Sequence, residues 1–409
     1  MSYTDISQFE PLMPADVNDL EDLAFEVSKK SATLAGQLPH QTLAGVRELL
    51  RIVNSYYSNL IEGHNTHPID VERAMRADYS NNQDKRDLQK ESIIHINVQR
   101  KIEESLNKAP ELDVTKEEFL RWIHREFYEQ LPESLRWIEG DGLKPEWVEA
   151  GELRDRQVIV GNHLPPDAKY LSSFLTRFDE FYTPSKFHGV KPIIALSAAH
   201  HRLMWIHPFL DGNGRVARLF TDAYFMRIGI DGYGLWNVSR GFARKSSEYK
   251  GMLAAADFHR EGDLDGRGNL SNRTLTEFCR FFLEACHDQA EFMSSLLSLG
   301  NFLDRLGKYV ALRANGLTLD EKGKKLEPLH GKAGAVLREA AIRGDIARST
   351  VFEIIGMSER SGRSVLKSLI EEGLLVPVSE SHRSSVRLGF PAHAAAYWFP
   401  NLFPALVQS

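Results

Sequence analysis

Two long apolar segments, Ile193–Ile206 and Arg215–Ile228, are joined by a polar loop broken by glycine, and this arrangement limits the chain's fold more than any other stretch. The first segment is too long and too rich in alanine for a strand, so it reads as a buried helix, and the second continues as another. The join is His207-Pro208-Phe209-Leu210-Asp211-Gly212-Asn213-Gly214-Arg215-Val216-Ala217-Arg218. Gly212 and Gly214 bracket Asn213, so the backbone can turn with exposed N–H groups and feed straight into a helix, which makes an anion site. Arg215 and Arg218 share a face near the positive end of that helix, where cations are disfavoured, and a bound polyphosphate accounts for both. Asp211 beside them suggests Mg²⁺, which on a nucleotide takes one or two protein carboxylates. His207 is the candidate general base, because its ordinary pKa lies near operating pH. Gly212, Gly214 and Ala217 also fit a loose dinucleotide-binding pattern, but the strand it requires is missing. His200 and His201 are neighbours on the first helix and cannot both face one metal.

At all nine fixed positions the loop resembles the motif H-P-F-x-D-G-N-G-R-x-x-R of the Fic family, enzymes that mostly transfer AMP from ATP to protein hydroxyls. The resemblance implies that His207 takes the proton of the target hydroxyl and that Asp211 holds Mg²⁺ on the phosphates. It further implies an anion hole of Asn213 and the Gly212 and Gly214 backbone, with Arg215 on the inner phosphates and Arg218 on the γ-phosphate. Ser58-Asn59-Leu60-Ile61-Glu62-Gly63 is similar to the family's inhibitory pattern [S/T]-x-x-x-E-[G/N], N-terminal to the motif, in which Glu62 pairs with Arg218. Arg218 cannot hold Glu62 and a γ-phosphate together. Ile138-Glu139-Gly140 repeats the local sequence, but Ser134 stands five residues before Glu139, off the helical face that a spacing of four would share.

A chain of 409 residues with 42% hydrophobic content is expected to form two or three domains with ordinary soluble cores. Its 50 basic and 56 acidic residues, net −6, exclude wholesale nucleic-acid wrapping but leave a local DNA site open. Cys279 and Cys286 read as reduced core residues, since two cysteines make neither a disulfide framework nor a zinc site. With no basic and apolar leader and no uncharged stretch long enough to span a bilayer, the expectation is a cytoplasmic protein without membrane contact.

The expected fold is mainly α: an N-terminal helical region over 1–105 carrying the inhibitory helix, a Fic-like core over 106–296, a linker over 297–331, a winged-helix-like α+β domain over 332–395, and a tail over 396–409. Apolar spacing predicts helices over Asp16–Leu38, Gln41–Ile61 ending at Gly63, Leu88–Leu106 and Tyr170–Tyr182, and capping-box spacing at Thr115 opens one running to Tyr128. Gln157–His163 is short, β-branched and followed by Gly-Asn, which predicts a strand entering a hairpin. By resemblance, Val158, Ile159, Val160 and Gly161 form the flap that holds a target by strand addition. Leu235–Met252 is similar to the segment that closes over adenine; many relatives carry Tyr-Tyr where this chain has Glu248-Tyr249, so Tyr249 alone is carried over.

Beyond 332, three short helices and two strands, Leu374–Val378 and Val386–Leu388, resemble a winged helix, with Arg360, Arg363 and Lys367 on the third helix. Residues 332–409 hold 9 basic and 7 acidic side chains, a weak excess for DNA, so a protein partner is equally in view. These readings lead to an autoinhibited, magnesium-dependent transferase that moves AMP from ATP to Tyr, Thr or Ser hydroxyls of other proteins and of itself. The alternatives are another nucleotide or phosphate-containing donor, removal of AMP, or a nucleotide-sensing transcriptional regulator. A homo-oligomer is compatible with all of them.

Overall fold

The computed structural model describes residues 3–139, 145–319, 325–356, 359–381 and 383–404. Near the start of the chain lies a single 3₁₀ turn, Ile6–Phe9, fixed by a capping box between Asp5 and Gln8. Helices α1 (Asn18–Ala35), α2 (His40–Ile61), α3 (Pro68–Met75), α4 (Gln83–Lys108) and α5 (Glu117–Tyr128) follow. The α2 stripe Leu43, Val46, Leu50, Val53, Tyr57 and Ile61 is buried, as its spacing requires. Lys116, not Thr115, precedes α5; the Thr115 hydroxyl bonds Asp113 and Asp179 instead of capping the helix.

Strands β1 (Trp137–Glu139) and β2 (Pro145–Trp147) pair antiparallel, with Trp137 opposite Trp147, so Glu139 lies in a strand and not in a loop. The strand expected at Gln157–His163 does not form. Only Val160 and His163 pair, across a turn in which Gly161 has φ +61°. Pro165 and Pro166 follow at once and have no N–H to extend a ladder, and the Gln157 side chain donates to the Pro165 carbonyl from the opposite arm. The segment expected to form a flap is therefore a four-residue turn.

Next come α6 (Leu171–Tyr182), α7 (Lys191–Ile206), α8 (Asn213–Arg227), α9 (Val238–Arg244), α10 (Ser246–Ala256) and α11 (Asn272–Leu297). Helices α7 and α8 pack together, α11 lies against α1, α7, α9 and α10, and α2 and α4 close the other side. Cys279 and Cys286 are free and buried within α11. The loop before α11 is tied to the N-terminal segment: Asn269 and Leu270 donate their backbone N–H groups to the Glu10 carbonyl, and Leu270 is buried.

The stretch expected as a linker contains α12 (Leu299–Ala314), whose Phe302, Leu306 and Tyr309 are buried, so it belongs to the packed body. Of the run Lys322-Gly323-Lys324-Lys325 only Lys325 is among the described residues, and Ser358 before α15 lies outside them. Helix α13 (Ala333–Arg343), strand β3 (Asp345–Ile346), helices α14 (Arg348–Ile355) and α15 (Glu359–Glu371), and strands β4 (Leu375–Pro377) and β5 (Val386–Leu388) form the C-terminal unit, with sheet order β3-β5-β4. Helix α16 (Ala392–Trp398) crosses the expected start of the tail, and Phe399 and Leu402 beyond it are buried. The Leu402 carbonyl accepts from the Tyr57 hydroxyl of α2 and from Arg240 of α9. Among the described residues no helix is long and apolar enough to cross a membrane.

Candidate active site

Between α7 and α8 the chain reverses through two left-handed residues, His207 (φ +49°) and Gly212 (φ +80°). A Cβ at Gly212 would lie 2.5 Å from the Tyr128 ring, so both the dihedral and the space demand glycine. Asn213 fastens the turn: its Oδ1 accepts from the Phe209 N–H at 2.9 Å and its amide donates to the Phe209 carbonyl at 2.8 Å. The side chain expected in the anion hole is thus engaged with the loop itself, which leaves the backbone N–H groups of the α8 N-terminus to meet an anion.

These elements line a cavity of about 810 Å³ that takes in His207, Asp211, Gly212, Gly214, Arg218 and Glu62. Burial pushes the His207 imidazole down to about 4, and the Arg154 guanidinium adds to the effect. Arg154 also donates to the His207 carbonyl at 2.8 Å and fixes the strained residue. His207 Nδ1 is buried near the Met204 carbonyl, short of a hydrogen bond. For Asp211, burial opposes ionisation, but Arg215, the Tyr128 hydroxyl and the Gly212 N–H hold the carboxyl below its usual range.

The two motif arginines diverge. Arg218 lines the cavity, donates from Nε to the Ser58 hydroxyl at 2.9 Å, and donates from Nη2 to the Ser58 carbonyl at 3.0 Å and to Glu62 Oε1 at 2.5 Å. Glu62 caps the end of α2, and its carboxyl is held below the usual value against the cost of burial, first by Arg218 and next by Arg215. Gly214 makes room for this pair, since a Cβ there would stand 2.3 Å from Glu62 Oε1.

Arg215 is absent from the cavity wall. It donates to Glu91 Oε1 at 2.5 Å and to the Tyr128 hydroxyl and Asp211 Oδ2 at 3.0 Å each. Glu91, fully buried on α4, also accepts from His64 Nδ1 at 2.7 Å, a bond that raises the His64 pKa. Sequence reading missed Glu91, His64 and Tyr128. The usable signal was Glu91 itself, an acid within an otherwise apolar helical stripe.

Tyr249 lines the same cavity with its ring flat against Phe242, centroids 4.3 Å apart, and its hydroxyl 2.8 Å from His200 Nε2. It can therefore offer a base ring surface and no free hydroxyl. Val160 and Gly161 reach the cavity wall, whereas Val158 and Ile159 do not, and Ile159 is 74% exposed. Among the described residues no group of three or more His, Cys, Asp or Glu side chains that could hold a metal ion occurs.

Residues 113–225, from before α5 to the end of α8, match the Fic/DOC family. Protein adenylyltransferase Fic of Drosophila mojavensis is 39% identical over 82 residues, 20% of this chain and 16% of that protein, and the Drosophila grimshawi protein of the same name agrees equally over 17% of its length. The chain thus spans about a sixth of the curated relatives it matches. A Fic family protein from Desulfovibrio desulfuricans G20 shares the fold at a TM-score of 0.51 and 16% identity, over 92% of this chain and 98% of that one. Fic-1 (aa134–508) from C. elegans gives 0.52 at 17% identity, over 68% and 72%. The family match covers residues 113–225, and that region of the chain is a Fic domain.

Proposed function

We propose that this protein transfers AMP from ATP to Tyr, Thr or Ser hydroxyls of proteins, itself included, and that Glu62 holds it in an inhibited state. The observation that carries the reading is one cavity in which His207, the α8 N-terminus, Asp211 and Arg218 converge while Glu62 occupies Arg218. The transfer begins when the target hydroxyl oxygen attacks the α-phosphorus in line. The bond from phosphorus to the bridging oxygen breaks, pyrophosphate leaves, and the hydroxyl proton passes to His207. A ring neutral down to about 4 is a competent acceptor at neutral pH, and the buried Nδ1 leaves Nε2 as the nitrogen for the task. The helix N-terminus and Arg218 offset charge on the leaving phosphates.

The donor set fits a magnesium ion that arrives with the nucleotide. Both side-chain hydrogen bonds to Asp211 end on Oδ2, so Oδ1 has no side-chain donor, and one carboxylate suffices when phosphate oxygens and water complete an octahedron. When bound, the ion would neutralise phosphate charge. Inhibition follows from competition for one guanidinium, because Arg218 cannot serve Glu62 and a γ-phosphate at once.

The C-terminal unit supports a second element of the proposal, a winged helix: Arg360 and Lys367 are exposed on α15 beside a three-stranded antiparallel sheet. Gel shifts across a salt series, with and without competitor DNA, separate a DNA partner from a protein partner. The main proposal is tested by His207→Ala in a Glu62→Gly background. The expected outcome is loss of labelled AMP incorporation with ATP affinity changed by less than about threefold. Undiminished incorporation contradicts the assigned base.

A further inference from the structure

We infer that Glu91, acting through Arg215, is the positioning residue that keeps one oxygen of Asp211 open for a divalent cation; this rests on the function proposed above. Asp211 Oδ2 is the shared end of a closed set: the Tyr128 hydroxyl donates to it at 2.5 Å, Arg215 Nη2 donates to it at 3.0 Å, and Arg215 Nη2 also donates to Tyr128 Oη at 3.0 Å. The other arm of the guanidinium, Nη1, is held by Glu91 Oε1 at 2.5 Å. Glu91 cannot turn away, because it is fully buried and its second oxygen accepts from His64 Nδ1 at 2.7 Å. Arg215 Nε is buried without a partner, so the guanidinium's orientation is set by its two terminal nitrogens, one on each carboxylate.

An arginine facing one carboxylate closes on both oxygens as a bidentate fork. Here the fork is split between Glu91 and Asp211, so Asp211 receives Arg215 on Oδ2 alone. Without a carboxylate at position 91, the released Nη1 has Asp211 as its remaining acidic partner among the described ion pairs, and bidentate closure would cover Oδ1. Hydrogen-bonded supports of this kind orient metal-ligating carboxylates, and losing one typically lowers metal affinity 10–100-fold. Glu91 lies on α4, outside residues 113–225, so the Fic region depends on a neighbouring helix for its metal-facing side chain.

The test is Mn²⁺ titration of the ATP-loaded protein, read by the electron paramagnetic resonance of free Mn²⁺, comparing Glu62→Gly with Glu62→Gly/Glu91→Gln. Expected are at least a fivefold weaker Mn²⁺ affinity in the double variant, unchanged ATP affinity without metal, and a transfer rate that falls at limiting Mg²⁺ and recovers at saturating Mg²⁺. Unchanged Mn²⁺ affinity overturns the inference. Should Glu91→Gln fail to fold, Glu91→Asp, which keeps the charge but shortens the reach to Arg215, carries the same test with the same two outcomes. A Glu62→Gly parent that binds ATP and Mn²⁺ but transfers no AMP contradicts the proposed function alone. A parent that binds and transfers, with affinity unmoved by Glu91→Gln, contradicts this inference alone.

Discussion

The two arginines of the motif stand three residues apart on one helix, yet their surroundings differ in kind. Arg215 and Glu91 are both buried, with side chains 6% and 0% exposed, whereas Arg218 is 2% exposed and its partner Glu62 is 34% exposed at the rim of the cavity. Breaking a buried pair strands a charge in low dielectric, and breaking a rim pair lets water or an anion take the vacated place. Arg218 also keeps its two bonds to Ser58 when Glu62 leaves, so it stays aimed at the cavity. The Arg215 site is therefore part of the scaffold, and the Arg218 site is exchangeable.

The largest expected effect probes the scaffold side. Glu91→Ala should lower stability by about 3–5 kcal/mol, the usual cost of an uncompensated buried charge, as read by denaturant melting; a loss under about 1 kcal/mol would erase the distinction between the sites. Gly212→Ala places a Cβ against Tyr128 at φ +80° and should cost about 1–3 kcal/mol, with the damage falling on the Arg215 side of the loop. Lowering the pH tests whether both switch groups keep their charge states. The His207 pKa lies below its free value, so the ring stays neutral as pH falls towards about 4, and the Glu62 carboxyl, also depressed, stays ionised through the ordinary carboxyl range. The ratio of Glu62→Gly to unmodified rates should then be constant from pH 8 to 5, and the Glu62→Gly rate itself should fall by less than about twofold, whereas an ordinary histidine base would lose roughly 30-fold in rate over that span. The smallest effect is that of Glu62→Ala on stability, within about 1 kcal/mol, because one partner is already in contact with solvent.

The loop from His207 to Arg218 and the α2 segment from Ser58 to Glu62 were legible because their chemistry is local: glycines bracketing an asparagine, cations at a helix start, a serine four residues before an acid. Helices α2, α7 and α8 followed from apolar spacing to within a residue or two. The pairing of Arg215 with Glu91 was not legible, because Glu91 is 124 positions distant and has no spacing rule to announce it. The two bonds that tie the Asn213 amide to the backbone of Phe209 were not legible either, because no sequence rule fixes which way that amide turns. The flap strand failed for a reason that was visible in Pro165 and Pro166, whose missing N–H groups outweigh β-branched propensity. The stretch carrying α12 was read as linker because most of its packing is against α13 and α16, which come later in the chain.

The exchangeable site is tested most directly by labelled AMP incorporation into the protein itself, measured side by side for the unmodified chain and Glu62→Gly at equal ATP and Mg²⁺. A charged hydrogen bond of about 1.5–3 kcal/mol released from Arg218 predicts a rise of roughly tenfold or more. Equal incorporation in the two proteins would contradict the account, because Glu62 would then not be what holds Arg218 from ATP.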